Sequence, residues 1–223
     1  YQNCGDFSNA AQLIDSLSVS VARDSLNLRQ FILQGDIKKA LTYFGKPELK
    51  IHRDKKSASL WKARMLLFSG EFEDFTAFLS TLEVAPFWEC AQELISYQYW
   101  IERLGNSSEA LAAWASIEYN LYCGLFHKIP QLLNHNRMEN QLRRQLALYA
   151  GKSCISRGHY KEALMTLGSD TLKEESPEFL YCKAEALYHC GDAVNARSVF
   201  NRIILEYPAD LYSDKARVFI NEH

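Results

Sequence analysis

The sequence predicts an all-α protein, an α-solenoid in which antiparallel helix pairs stack one on the next. Three observations predict it. Glycines recur at near-constant intervals: Gly35, Gly70 and Gly105 stand 35 residues apart, and Gly158 and Gly191 stand 33 apart. After most of these glycines a small residue precedes a large apolar one by four positions, as in Ala40 and Phe44, Ala110 and Trp114, Ala163 and Leu167, and Ala196 and Phe200. Between the glycines apolar residues recur at helical spacing, and β-hairpin turn signals are scarce. A steady period with shared internal offsets is the sequence sign of a helical repeat, whose units bury their apolar faces only against neighbours.

Each element follows from that pattern. Phe7, Ala10, Leu13, Ile14 and Leu17 space a short amphipathic helix over 1–18, a cap after a loose start. Leu26, Leu28, Phe31 and Ile32 give the next helix, turned by Gly35-Asp36. Ala40 and Phe44 mark its partner, ended by Gly45-Lys46-Pro47. Residues 46–57, with Lys46, Lys50, His52, Arg53, Lys55 and Lys56, read as a basic, solvated connecting loop. A helix over 57–68 has Ala63 at its middle and is turned by Gly70. Its partner over 72–82 has bulky Phe75 in place of the small residue, so this pair is expected to cross further apart. Pro86 ends it.

Residues 87–104, with Trp88, Tyr97, Tyr99 and Trp100, read as a long helix turned by Gly105-Asn106. The spacing then slips, because Gly105 and Gly158 are 53 residues apart. Two arrangements fit 107–140. Either one extra helix is inserted around Gly124 and Pro130, or the helix over 107–122 serves both of its neighbours in an irregular repeat. The helix over 141–157 opens the next pair, with Gly151 at the small position. Gly158-His159-Tyr160 turns it, and Ala163 and Leu167 close it. An acidic loop spans 170–178.

The pattern is fullest over 177–208. Ala184 is small, Gly191-Asp192 turns the chain, Ala196 and Phe200 form the small–large pair, and Pro208 stops the second helix. Two helices approach closely only where side chains are small, so Ala184 and Ala196 are the expected crossing points. Gly191 can take a positive φ as the residue after a helix end, and Asp192 is a natural N-cap for the next helix. Residues 210–221, with Ala216 and Phe219, read as a terminal capping helix. No linker interrupts the chain, which gives one domain over 1–223 of about twelve or thirteen helices.

Residues 177–208 resemble one tetratricopeptide repeat, with Leu180 at the first large position and Lys183 where that family usually has Leu. The close of the chain, Phe200 to Tyr207-Pro208 and then Ser213 and Ala216, is similar over about 45 residues to bacterial envelope tetratricopeptide proteins. These include the lipoprotein of outer-membrane barrel assembly and the Tol–Pal-associated periplasmic type. The resemblance implies a right-handed superhelix whose first helices line a concave groove that holds a partner's peptide or helix. It implies groove positions at Glu178, Tyr181, Glu185, Tyr188 and His189, at Leu148 and Lys152, and at Arg64, Tyr99 and Arg103. The Lys and Asn of the chaperone-type carboxylate clamp are absent from these positions.

The residues themselves narrow the function. Hydrophobic residues make up 48% and charged ones 23%, an ordinary globular balance, and the net charge of −2 supplies no general attraction to nucleic acid or anionic lipid. No apolar run approaches the roughly 20 residues of a membrane span. None of the six cysteines forms a Cys-x-x-Cys pair, and most are expected as small buried side chains. The six histidines show no metal-ligand spacing, and neither a Gly-rich phosphate loop nor a Gly-x-Ser-x-Gly elbow occurs. We therefore expect no catalytic centre, metal or cofactor. Basic residues outnumber acids over 128–161, and Arg137, Arg143, Arg144 and Arg157 form a candidate docking patch for an acidic partner. The reading is a non-catalytic adaptor for another protein. The alternatives are a self-associating scaffold that uses outer or terminal surfaces, and a regulatory domain of a larger protein. The compartment stays open between the cytoplasm and, were a leader removed, the periplasm.

Overall fold

The computed structural model describes residues 6–83, 90–105, 107–135, 139–168 and 176–222. Among these residues there are thirteen α-helices, two short 3₁₀ helices and no strand. The helices are α1 (Phe7–Ser16), α2 (Val21–Leu33), α3 (Ile37–Phe44), α4 (Lys55–Ser69), α5 (Phe72–Ser80), α6 (Ala91–Leu104) and α7 (Ser108–Cys123). They continue as α8 (Ile129–His135), α9 (Asn140–Ile155), α10 (Tyr160–Leu167), α11 (Pro177–His189), α12 (Ala193–Glu206) and α13 (Leu211–Glu222). Pro86, Trp88, Asn106, Arg137 and most of the acidic loop lie outside the described residues.

Helix ends explain the glycine spacing. Five turns share one hydrogen-bond pattern, in which the amide after the glycine reaches back to the carbonyl five residues earlier. The pairs are Asp36 to Phe31, Glu71 to Leu66, Leu125 to Asn120, His159 to Cys154 and Asp192 to Leu187, at 2.8–3.2 Å. This bond satisfies a terminal carbonyl and requires a left-handed residue at the turn. The glycines there, Gly35, Gly70, Gly124, Gly158 and Gly191, have φ of 72–89°.

Gly124 is therefore a turn of the same kind as the others, and it restores the period. It precedes Gly158 by 34 residues. Gly105 differs: its φ is 59° and its ψ −147°, and its amide bonds to Ile101. Within 107–140 the chain holds an added helix, α8, between the turn at Gly124 and α9. Helix α7 follows the turn at Gly105 and itself ends in the turn at Gly124.

The chain divides into two compact units, Tyr1–Ala115 and Ser116–His223. In the first, each of α1 to α6 packs on the next, and alternate helices α2, α4 and α6 also touch. Phe75, Tyr97, Trp100 and Trp114 gather at its centre, with Trp114 stacked on Trp100 at 6.3 Å and edge-on to Tyr97 at 5.7 Å. Phe75 and Leu79 are fully buried, so the bulky substitute in α5 feeds this aromatic cluster.

The segment expected as a solvated basic loop holds a 3₁₀ helix, Lys50–Arg53, and the start of α4. The reason is a buried anchor within the charged stretch. Ile51 is fully buried, and its amide donates to Asp24 Oδ2 at 3.0 Å. Asp24 is itself buried in α2 and also accepts from the Tyr43 hydroxyl at 3.2 Å. A buried carboxylate needs such partners.

In the second unit each of α8 to α13 packs on the next, and α9, α11 and α13 touch as alternate helices. Ala184 and Ala196 sit in one buried cluster with Leu180, Phe200, Ile203 and Ala216, as expected for a close crossing. Gly151 is the tightest approach: a Cβ there would lie 2.8 Å from Leu167 Cδ2. Ser176 and Asp192 cap α11 and α12 by accepting from Phe179 N and Asn195 N, each at 3.2 Å.

Candidate partner-binding surface

The expected groove residues fall mainly on the first helices of the pairs, α4, α6, α9 and α11. The residue six positions before the turn glycine defines a recurring site: Arg29 in α2, Arg64 in α4, Tyr99 in α6, Glu118 in α7, Lys152 in α9 and Glu185 in α11. Arg64, Glu118 and Lys152 reach the first helix of the following pair. Arg64 makes a two-pronged bond to Glu93 on α6, both arms at 2.7 Å, with its guanidinium 5.3 Å over the Trp61 ring. Glu93 also accepts from the Tyr97 hydroxyl. Glu118 accepts from the Tyr149 hydroxyl on α9. Lys152 donates to Glu178 on α11 at 2.6 Å, and Glu178 accepts a second bond from Tyr212 on α13 at 2.7 Å.

Arg64, Lys152 and Glu178 thus stitch successive pairs together. Burial would raise the Glu178 carboxyl, but the bonds from Lys152 and Tyr212 outweigh it and hold the group below the usual glutamate range. Lys152 is raised for the matching reason, chiefly its bond to Glu178.

The other positions divide by exposure. Tyr181 is half-buried, edge-on to Phe200 at 5.4 Å and 5.5 Å from the Tyr212 ring, so it belongs to the packing of the last pair. Tyr188 packs edge-on against Phe219 at 5.0 Å. His189 is exposed and stacks on Tyr160 at 4.3 Å. Leu148 is half-buried in α9. On α6, Tyr99 is 53% exposed, with Ile95 one turn before it and Arg103 one turn after it, both open to solvent.

Glu185 is half-buried and differs from Arg64, Glu118 and Lys152. It makes no hydrogen bond or ion pair within the described residues, and burial pushes its carboxyl above the usual range despite His189 and Lys215 nearby.

Of the expected basic patch, Arg137 lies outside the described residues. Arg143 and Arg144 are successive on α9 and so diverge by about 100°. Arg157 is exposed but engaged: its guanidinium donates to the Leu121 carbonyl at the end of α7 and lies 5.7 Å over the Phe126 ring. Phe126 also carries the His159 ring at 3.9 Å.

One surface was not legible as a site in the sequence. A cleft of about 540 Å³ opens along α12 and α13, lined by Tyr188, Val194, Arg197, Phe200, Phe219 and Ile220 among others. Val194 at its edge is 82% exposed. Spacing could have flagged Val194, an apolar residue on the polar side of α12, but not the cleft, which needs α13 in place.

Among the described residues no group of three His, Cys, Asp or Glu side chains converges to hold a metal ion, and no helix is long and apolar enough to cross a membrane. The thiols of Cys154 and Cys182 are pushed up by burial, to about 11 and about 12. The chain matches no protein-family model, no curated protein and no solved structure.

Proposed function

We propose that the chain is a non-catalytic adaptor of the tetratricopeptide type, which binds a segment of a partner protein along its first helices. The observation that carries this reading is the set of five glycine turns with one hydrogen-bond pattern, each joining two helices and spaced 33–35 residues apart except between Gly70 and Gly124. Within a unit, repeated hairpins present one face of each first helix side by side, and such a face suits an extended or helical segment. The first unit leaves Ile95, Tyr99 and Arg103 on α6 accessible, and the second leaves Glu185 and His189 on α11 accessible.

The test is affinity capture from the native source with wild type beside a Glu185→Ala, His189→Ala variant. Glu185 makes no hydrogen bond or ion pair within the described residues and His189 is exposed, so the fold is expected to survive, checked by circular dichroism. Wild type should retain a protein that the variant loses. Retention by both would move binding off this face.

A second reading, a self-associating scaffold, draws on the α12–α13 cleft and on Val194, Leu205, Leu211 and Val218, all more than half exposed on these two helices. Sedimentation at rising concentration separates the two. A mass that grows in wild type and stays monomeric in Val194→Asp favours the scaffold.

A further inference from the structure

Three of the first helices use the same position to bond the next one, and at that position in α11 a carboxylate stands open. Six residues before the turn glycine, Arg64, Glu118 and Lys152 each engage the next first helix. Glu185 occupies the same place in α11, but the next helix offers it no bond. Tyr212 on α13 is already taken by Glu178. Lys215 directs its ammonium over the Tyr212 ring at 4.8 Å and forms no ion pair with Glu185. Glu185 is flanked on its own helix by Tyr181 one turn before it and by Tyr188 and His189 one turn after it. A half-buried carboxylate without a partner is costly, since it loses water without gaining a bond.

The chain displays elsewhere what completes such a group. Around Arg64 a guanidinium meets a carboxylate through two 2.7 Å bonds while its flat face rests on an aromatic ring. At Glu185 the carboxylate and the aromatic rings are present and the guanidinium is missing. We infer that Glu185 receives an arginine side chain from the bound partner segment, set against the rings of Tyr181, Tyr188 and His189. Arginine fits better than lysine because its planar fork bonds a carboxylate at two points, stacks on aromatic rings and sheds water more readily. This inference rests on the groove reading above and names the partner chemistry at one position of it.

The test uses two degenerate peptide libraries, identical except for arginine or citrulline at a fixed central position. Citrulline keeps the shape of the fork and removes its charge. Immobilised wild-type protein should retain the arginine library by roughly tenfold or more over the citrulline library, as expected of a charge-assisted bond. In Glu185→Gln the ratio should fall close to one. In Glu206→Gln, a change to an exposed acid on α12, it should stay as in wild type. A preference for arginine that survives in Glu185→Gln overturns the inference and leaves the groove intact. Failure of wild type to retain either library overturns the groove reading and the inference with it.

Discussion

Glu178 and Glu185 lie seven residues apart on α11 and are displaced in opposite directions. Glu178 is held below the ordinary glutamate value by Lys152 and Tyr212. Its folded form binds protons less readily than its unfolded form, so its stabilising effect is present above the ordinary value and is lost as the pH falls through the folded one. Glu178→Gln should therefore lower the melting temperature at neutral pH, by a stability change of about 1 kcal/mol for a partly exposed pair. The deficit should shrink in acid. Glu185 is raised by burial. Its ionised form is disfavoured in the folded chain, so the stability it contributes is present below the ordinary value and lost as the pH rises through the folded one. Glu185→Gln should raise the melting temperature at neutral pH, and the gain should vanish in acid. Thermal melts across the acid range check both signs at once. That both residues sit on one helix face was legible from spacing. That one is bonded and the other open was not, because their partners come from α9 and α13, 26 and 34 residues away from Glu178.

At the level of a helix and its turn, the glycines carry the pattern. Gly124→Ala should cost about 1–2 kcal/mol, the penalty of a left-handed conformation with a Cβ, although its position in the sequence looks irregular. Gly105→Ala should cost more, up to about 3 kcal/mol, because its φ and ψ lie near a region that essentially only glycine enters. Chemical denaturation of the two variants gives the comparison, and equal losses would mean the two turns are alike. Within the helices the small residues decide how closely a pair crosses. Gly151→Ala gains about 1 kcal/mol of helix propensity. It also drives a methyl against Leu167, which is 1% exposed and has nowhere to move. Overpacking of this kind costs about 1–3 kcal/mol, so the variant should be less stable. The turns were readable because hydrogen-bond geometry forces glycine there. The 3₁₀ helix at Lys50–Arg53 was not, because one buried isoleucine among seven charged or polar neighbours leaves no periodic trace.

Across the second unit, helices packed each on the next give a test of how stability is shared. Ala196→Leu should overpack the α11–α12 crossing at a cost of about 1–3 kcal/mol. Amide exchange should quicken most in α11, α12 and α13 and less in α9 and α10, because each pair draws its stability from its neighbours. A uniform rise over α9–α13 would mean the unit opens as one. The sequence by itself determined the all-helical class, nearly every helix, the turn at each glycine and the small residues at the crossings. Those features are set by contacts within about five residues or by a repeated period, and both are written along the chain. Only the tertiary structure decided that Gly124 continues the series and that Ile51 is an anchor. The same holds for the bond from Arg157 to Leu121, the bonds that tie up Arg64 and Lys152, and the open carboxylate at Glu185. Each depends on which side chain arrives from a distant helix, and that is fixed by packing in three dimensions.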